Sequence, residues 1–133
     1  MALSYGDPEL LIAEWIAGTL DIPARADPDL RPDWWADAPV AHVQRSAGFG
    51  NMPLTLDDPI IDVDVYSAVA AHAREAAHRI WVAMTLNLPR HTFQPSGVFV
   101  MRVGATPPAW APDPTAFRRT AAYSLVLHNL VVS

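Results

Sequence analysis

The spacing of hydrophobic residues near the start of the chain is that of an α-helix. Apolar side chains recur at steps of three or four, which places them on one helical face: Leu10, Ala13, Ile16, Ala17 and Leu20. Asp7 can accept hydrogen bonds from the first free N–H groups, and Pro8 fits the first helical position. The pattern therefore predicts a helix over residues 8–20.

A second helical spacing occupies the middle of the chain, over residues 68–86. Its apolar face carries Val69, Ala73, Ala76, Ile80 and Met84, and Leu88 continues the spacing. Ser67 can cap the start of this helix, and Pro89 ends the pattern. The segment is rich in alanine, so we expect the helix to lie close against a sheet.

Four other segments have the pattern of β-strands, at residues 40–46, 59–67, 96–104 and 118–131. The alternation is clearest in the second, where one face carries Ile61, Val63 and Val65 and the other carries Asp62, Asp64 and Tyr66. Segment 96–104 is apolar on both faces, which is typical of a central strand.

The order helix, strand, strand, helix, strand, strand predicts an α+β fold. A single four-stranded, mostly antiparallel sheet with both helices packed on it is the economical arrangement, and 133 residues form one domain spanning residues 1–133. Thirteen prolines are about twice the usual share of ~5%. They cluster at 21–39 and 105–117, so we expect long, ordered, Pro-rich loops there.

Composition excludes several classes of function. The formal net charge is −5, and only two of the nine arginines are adjacent, which argues against a dedicated nucleic-acid-binding surface. The chain has no cysteine, so a disulfide scaffold and a thiolate metal site are excluded. No signal-peptide pattern and no apolar stretch near ~18 residues occur. We expect synthesis in a cytoplasm and no contact with a membrane.

The stretch DDPIIDVDVYS, residues 57–67, raises the possibility of a metal site. Asp62 and Asp64 share a strand face, about 6.6 Å apart along an extended strand, and carboxylate oxygens suit hard divalent cations. No further acid is placed to complete the site, so we expect no bound metal here and a face that points away from the core. A small divalent-metal-dependent enzyme using Asp62 and Asp64 is the minor alternative.

The other chemical motifs are incomplete. His72 and His78 are six residues apart, which separates them by about 120° on a helix, whereas a zinc helix needs histidines four apart. No nucleophile elbow is present. We therefore predict that the protein is not an enzyme and needs no cofactor. Large aromatics in the Pro-rich loops indicate contact with partners instead: Trp34, Trp35, Trp110 and Phe117. For Trp34 and Trp35 the alternative is that they cover one end of the core.

Two stretches carry a resemblance to a known family. The first is DVDVYSAVAAHAREAAHRIWVAM, an acidic strand leading into an Ala/Arg-rich helix, and the second is PPAWAPDPTAFRRTAAYSLVLH, a Pro-Trp-Pro stretch before a final strand. Together with the element order over residues 8–130, they resemble the tail terminator, or tail completion, proteins of long, non-contractile-tailed bacteriophages and related prophages.

The resemblance implies a structural function in the virion. Tail terminators form a ring, usually a hexamer, that caps the head-proximal end of the tail tube and stops its polymerisation. The ring then joins the head-tail connector, or stopper, and DNA passes through its channel. The implied partners are a second copy of the chain, the tail tube protein, the connector and DNA in transit. The implied location is the tail or neck of a virion assembled in the host cytoplasm.

The resemblance also frames the expectations for particular residues. We expect Asp62, Asp64, Arg118 and Arg119 to lie at a subunit interface or to line the channel, where an acidic surface would let DNA slide. Trp34 and Trp35 are assigned to a partner-contact loop by physical reasoning alone, because loop 23–39 has no counterpart in the family pattern. Another neck component, such as a connector or head-closure protein, remains an alternative.

Overall fold

The computed structural model describes residues 7–27, 29, 31–49 and 56–128. Two α-helices are present in this part of the chain, α1 (Pro8–Leu20) and α2 (Ala70–Leu86), together with a short 3₁₀ turn over Pro32–Trp35. No helix in the described ranges is long and apolar enough to cross a membrane. The predicted bounds of α1 are confirmed. The second helix starts two residues later than predicted.

The helix ends explain these bounds. The carboxylate of Asp7 accepts from the backbone N–H of Glu9 at 3.0 Å, and Asp21 ends α1 in the left-handed conformation with φ 57°. The guanidinium of Arg79, on α2, donates to the carbonyl of Leu20 at 2.9 Å. Ser67 accepts from Val69 N–H at 3.1 Å, before the helix begins, so Ser67 shapes the approach rather than capping α2.

The sheet has six strands among the described residues: β1 (Ala24–Arg25), β2 (Val40–Phe49), β3 (Leu56–Ser67), β4 (Phe99–Ala105), β5 (Ala109–Ala111) and β6 (Phe117–His128). Their order is β1-β2-β3-β6-β4, with β5 also paired to β6. The pair β1/β2 is parallel and the others are antiparallel. The α+β class is therefore confirmed, and the sheet is a mixed one with two strands more than predicted.

The two unpredicted strands are too short to show a period of two. The strand β1 has two residues next to Pro23, and β5 has three residues between Pro108 and Pro112. Both are held by pairing with long neighbours, which a local sequence pattern does not report. Strand β2 runs to Phe49 and β3 starts at Leu56, and residues 50–55 between them lie outside the described residues.

The prediction of a central position for segment 96–104 is wrong. Strand β4 lies at the end of the sheet, and β3 and β6 are central. Val100 is fully buried towards the core, but Met101 is 49% exposed. The apolar residues on the second face of β4 are therefore uncovered, which a hydropathy pattern cannot distinguish from burial on two faces.

Strands β4 and β5 act as one interrupted edge strand. Thr106 donates its backbone N–H to the carbonyl of Ala122 at 3.0 Å, and its hydroxyl accepts from Ala122 N–H at 3.0 Å. Pro107 and Pro108 follow, and the pairing with β6 resumes at Ala109. The hydroxyl of Thr106 thus accepts the hydrogen bond from β6 that a backbone carbonyl would accept in a regular ladder.

The core lies between the helices and one face of the sheet, here called the inner face. The predicted face of β3 is confirmed, because Ile61, Val63 and Val65 are all buried in this core. Four alanines on α2 are buried: Ala73, Ala76, Ala77 and Ala83. Burial of each large aliphatic side chain in the core contributes about 1.5–3 kcal/mol. The opposite, outer face carries the polar half of β3.

Candidate interaction surfaces around Asp64 and Trp110

A buried ion pair occupies the outer face of the sheet. Asp64 on β3 lies diagonally across from Arg118 on β6, and its carboxylate accepts from the guanidinium at 3.0 Å. The side chain of Asp64 is 7% exposed and that of Arg118 is 31% exposed. Within the chain, Asp64 is therefore bound by Arg118 and largely covered. Its place at a subunit interface or along a channel stays a prediction. Asp62 remains partly exposed on the same face.

The electrostatics of this pair favour the charged form of Arg118. Burial opposes the charged form of Arg118, but the negative charge of Asp64 and its hydrogen bond raise the pKa of Arg118 above its ordinary value. Burial also raises the pKa of the neighbouring Tyr66, against the opposing effect of Arg118. Among the described residues, one carboxylate oxygen of Asp64 and Nε of Arg118 have no hydrogen-bond partner. The pair is thus held in place by its surroundings rather than by full hydrogen bonding.

Trp34 and Trp35 cover this outer face. The ring of Trp35 stacks on Tyr66 with centroids 4.9 Å apart, and Trp35 is 5% exposed in a cluster with Val40. Trp34 is partly exposed, with the guanidinium of Arg25 at 4.1 Å from its ring centroid. The loop that sequence analysis assigned to partners therefore buries Trp35 within the subunit and leaves only part of Trp34 for external contact.

The loop also covers His42, which is opposite Asp64 in the β2/β3 register. His42 is 3% exposed, and its Nε2 lies 2.6 Å from the carbonyl of Asp27. A buried histidine beneath the loop is thus the cross-strand neighbour of the buried Asp64. His42 was not among the predicted site residues, and its position on the same face of β2 as Gln44 is the signal that could have found it.

A second ion pair lies at the other end of β3. Asp57 is 5% exposed and accepts two hydrogen bonds from the guanidinium of Arg45, at 2.9 and 3.1 Å. The backbone N–H of Arg45 donates to Glu9 of α1 at 2.7 Å. Two of the four carboxylates in residues 57–64 are therefore neutralised by arginines of the same chain. Asp58 is exposed and Asp62 partly so.

These contacts bear on the metal-site hypothesis. Asp64 already has a guanidinium cation at 3.0 Å, which repels a second cation at the same oxygens. In the described ranges, no three His, Asp or Glu side chains converge on a point that could hold a metal ion. The Asp-x-Asp pair of β3 thus lacks a third protein ligand in this part of the chain.

A different surface lies on the helix side, where β5, the start of β6 and the start of α2 meet. Trp110 is 42% exposed and Phe117 is 48% exposed, with ring centroids 6.3 Å apart. Val69, just before α2, is 45% exposed. The guanidinium carbons of Arg119 and Arg74 lie 4.8 and 5.4 Å from the Trp110 ring centroid. These five residues form what is called below the Trp110 patch.

Two surface cavities flank Trp110. One, of about 550 Å³, is lined by Arg74, Trp110 and Phe117 among others. The second, of about 520 Å³, lies between α2 and Pro108 and is lined by Arg74 and Arg119. Arg74 lines both cavities, with Trp110 beside the first and Arg119 beside the second. This shape gives a partner both apolar surface and two cationic groups to contact.

The adjacent arginines of β6 lie on opposite faces of the sheet. Arg118 points to the outer face and pairs with Asp64, whereas Arg119 lies on the helix side beside Trp110. The structure therefore brings Asp62, Asp64 and Arg118 together and separates Arg119 from them. Arg74 and Val69 belong to the Trp110 patch and were missed as candidates, because only the fold places the start of α2 beside β5.

The comparisons with known proteins do not identify a family. No family model matches the chain, and no curated protein matches its sequence. The function therefore rests on the residues and surfaces described above, together with the resemblance of the two motifs.

Proposed function

We propose that this protein is a structural subunit of a bacteriophage tail, of the tail terminator kind. In this proposal it forms a homo-oligomeric ring, as a hexamer, that caps the head-proximal end of the tail tube. The ring ends tube polymerisation and joins the tail to the head-tail connector. Its location is the neck of the virion, after assembly in the host cytoplasm, and it catalyses no reaction.

The observation that carries the proposal is the Trp110 patch. Monomeric proteins rarely expose a contiguous group of large apolar side chains unless it is used for contact. Tryptophan and arginine are also the residues most enriched among the energetic centres of protein interfaces. A surface of this composition supports a protein that works by binding other proteins.

The polar outer face supports the same proposal in a different way. The Asp64–Arg118 pair and the Trp35–Tyr66 stack are internal contacts that fix this face and its covering loop. Of the two acids Asp62 and Asp64 on β3, Asp62 is the one that remains partly exposed at the surface. We assign to Asp62 the expected interface or channel-lining role, with Asp64 and Arg118 holding the surface in shape.

The test uses the purified protein with preformed tubes of its cognate tail tube protein. We expect a mass several times 14.5 kDa, alone or at tube ends, and electron micrographs with one extra ring at one end of each tube. Addition before tube assembly should shorten the tubes as the molar ratio rises. A protein that stays monomeric and never binds tube ends would contradict the proposal.

The same micrographs separate the terminator from the head-closure alternative. A terminator binds the free end of the tube before any connector is present. A connector or head-closure protein binds portal-bearing capsids and leaves isolated tubes uncapped. Incubation with tubes alone and with capsids alone therefore distinguishes the two assignments.

A further inference from the structure

The charges on the subunit are unevenly distributed between the two edges of the sheet. Strand β1 forms one edge of the sheet. The opposite edge is formed by β4 and β5, which pair with successive parts of β6. Residues 21–37, which surround β1, carry five aspartates against two arginines, a formal net charge of −3. All five aspartates are exposed: Asp21, Asp27, Asp29, Asp33 and Asp37. We call this region the acidic β1 edge.

The opposite edge carries the Trp110 patch with two available cations. Among the described residues, neither Arg74 nor Arg119 has a carboxylate oxygen within 4.0 Å. The nearby Asp113 is already engaged by the backbone N–H and hydroxyl of Thr115, both at 2.9 Å. Exposed Glu75 is the one other acid that lines the adjoining cavity. The five residues of the patch thus include two arginines and no acid, while Asp113 and Glu75 line the cavities beside it.

Helix α2 separates the two regions. One flank of the helix borders the cavity that is lined by Arg74 and Arg119. The other flank borders a cavity of about 310 Å³ that is lined by Asp21 and Asp37. Arg79 also lies on that second flank, but its guanidinium already donates to the carbonyl of Leu20. Arg74 and Arg119 thus line one cavity and Asp21 and Asp37 another, with Glu75 bordering both.

We propose that the Trp110 patch of one subunit binds the acidic β1 edge of a second copy of this chain. This proposal rests on the proposed ring and names the two surfaces that build it. A two-fold contact would place Arg74 and Arg119 against their own copies, and like charges in contact weaken association strongly. A head-to-tail contact places them on aspartates instead. Contacts of this heterologous kind close into rings when the rotation between subunits permits.

Charge reversal of each surface tests the pairing. The patch variant carries Arg74→Glu and Arg119→Glu, and the edge variant carries Asp33→Arg and Asp37→Arg. Each alone brings like charges together, so we expect self-association to weaken at least ~10-fold. The single substitution Arg74→Glu, on an exposed helical position, serves where the double patch variant folds poorly. Circular dichroism and thermal unfolding check the fold of every variant.

The complementary combinations give the decisive result. A chain with all four reversals again has opposite charges on its two surfaces, so its association constant should return to within about threefold of the wild type. A mixture of the patch and edge variants should form alternating assemblies with even numbers of subunits, seen by native mass spectrometry. Matched controls reverse exposed charges elsewhere, Arg102→Glu on β4 and Asp58→Arg on β3, and should leave association unchanged.

The outcomes separate this inference from the proposed function. If the wild type assembles and the reversals leave association within threefold, the pairing is wrong and the ring proposal stands. Failure of the folded four-reversal chain to associate also overturns the pairing. If the patch variant self-associates but no longer binds tube ends, the patch contacts the tube protein, which again overturns the pairing. A wild type that never associates and never caps tubes contradicts both proposals.

Discussion

Trp35 and Trp110 look alike in the sequence and differ completely in the folded chain. Both lie in Pro-rich segments that also contain aspartates. An arginine lies over the ring of Trp34, the neighbour of Trp35, and another lies over the ring of Trp110. Trp35 is 5% exposed and stacked on Tyr66, whereas Trp110 is 42% exposed between two arginines. The Trp35 region packs within the chain, and the Trp110 region is the exposed surface to which we assign partner contacts in our proposal. Proline-rich context alone does not decide which role a tryptophan takes.

The physical reason for the difference is the available strand face. Loop 21–39 passes over the outer face of β2 and β3, where Val40 and Tyr66 leave an apolar area for Trp35 to cover. The segment around Trp110 is itself an edge strand, paired to β6 on one side only. No further layer of the described chain lies over it, so Trp110 and Phe117 remain exposed.

The largest expected effect comes from truncation of the buried member of this comparison. Trp35→Ala removes the stacked ring and leaves a cavity over Tyr66, so we expect a loss of about 3–5 kcal/mol in the free energy of unfolding. Trp110→Ala should cost about 1 kcal/mol or less and weaken self-association. Urea denaturation and sedimentation measure the two effects. Equal losses of stability in both variants would break the comparison.

The next effect concerns the ion pair beneath the Trp35 region. Asp64→Ala leaves Arg118 without its carboxylate, and because the Arg118 side chain is 31% exposed, water offsets part of the penalty. We expect a loss of about 2 kcal/mol. The double variant with Arg118→Ala should lose less than the sum of the two single variants. Strict additivity in that double-mutant cycle would show that the pair contributes no coupling.

A smaller effect should appear at alkaline pH. Burial raises the folded-state pKa of Tyr66 above its unfolded value of about 10. The stability that Tyr66 contributes is therefore fully present below about pH 10 and is lost as the pH rises through its folded pKa. Urea midpoints at pH 8, 10 and 11 should fall more steeply for the wild type than for Tyr66→Phe. If the urea midpoints of the two proteins fell equally with pH, ionisation of Tyr66 would not be the cause of the alkaline loss of stability.

The smallest effect is expected at Asp62, the partner of Asp64 in the original acidic pair. Asp62 has no ion pair among the described residues and is partly exposed, so Asp62→Ala should change stability by no more than about 0.5 kcal/mol. Any effect should appear in ring assembly or in DNA passage. A loss as large as that of Asp64→Ala would show that the two acids act together after all.

Local patterns predicted the elements that carry their own signals. Asp7 and Pro8 mark the start of α1, and the alternation over Ile61, Val63 and Val65 gives the faces of β3, because both depend on neighbours in sequence. The edge position of β4 and the existence of β1 and β5 depend on pairing between distant segments. No local pattern contains that information.

The candidate site shows the same limit at single residues. The alternation of β6 already implies that Arg118 and Arg119 face opposite sides, but only the register with β3 shows that Arg118 reaches Asp64. A pair of acids on a polar strand face looks solvated until a loop from elsewhere covers one of them. Arg74 enters the Trp110 patch through the packing of α2, which the helical spacing alone does not reveal.

The break at Thr106 has a consequence for the addition of a further strand at this edge of the sheet. An open edge strand invites another chain to add a strand by backbone pairing, and such growth has no natural end. Pro107 and Pro108 have no N–H to donate, and the chain bends away from a straight ladder where Thr106 substitutes its hydroxyl. Over this stretch the edge discourages open-ended backbone pairing. Side-chain contacts such as those of Trp110 remain available there. Contacts of that kind are compatible with a closed assembly that contains a fixed number of copies.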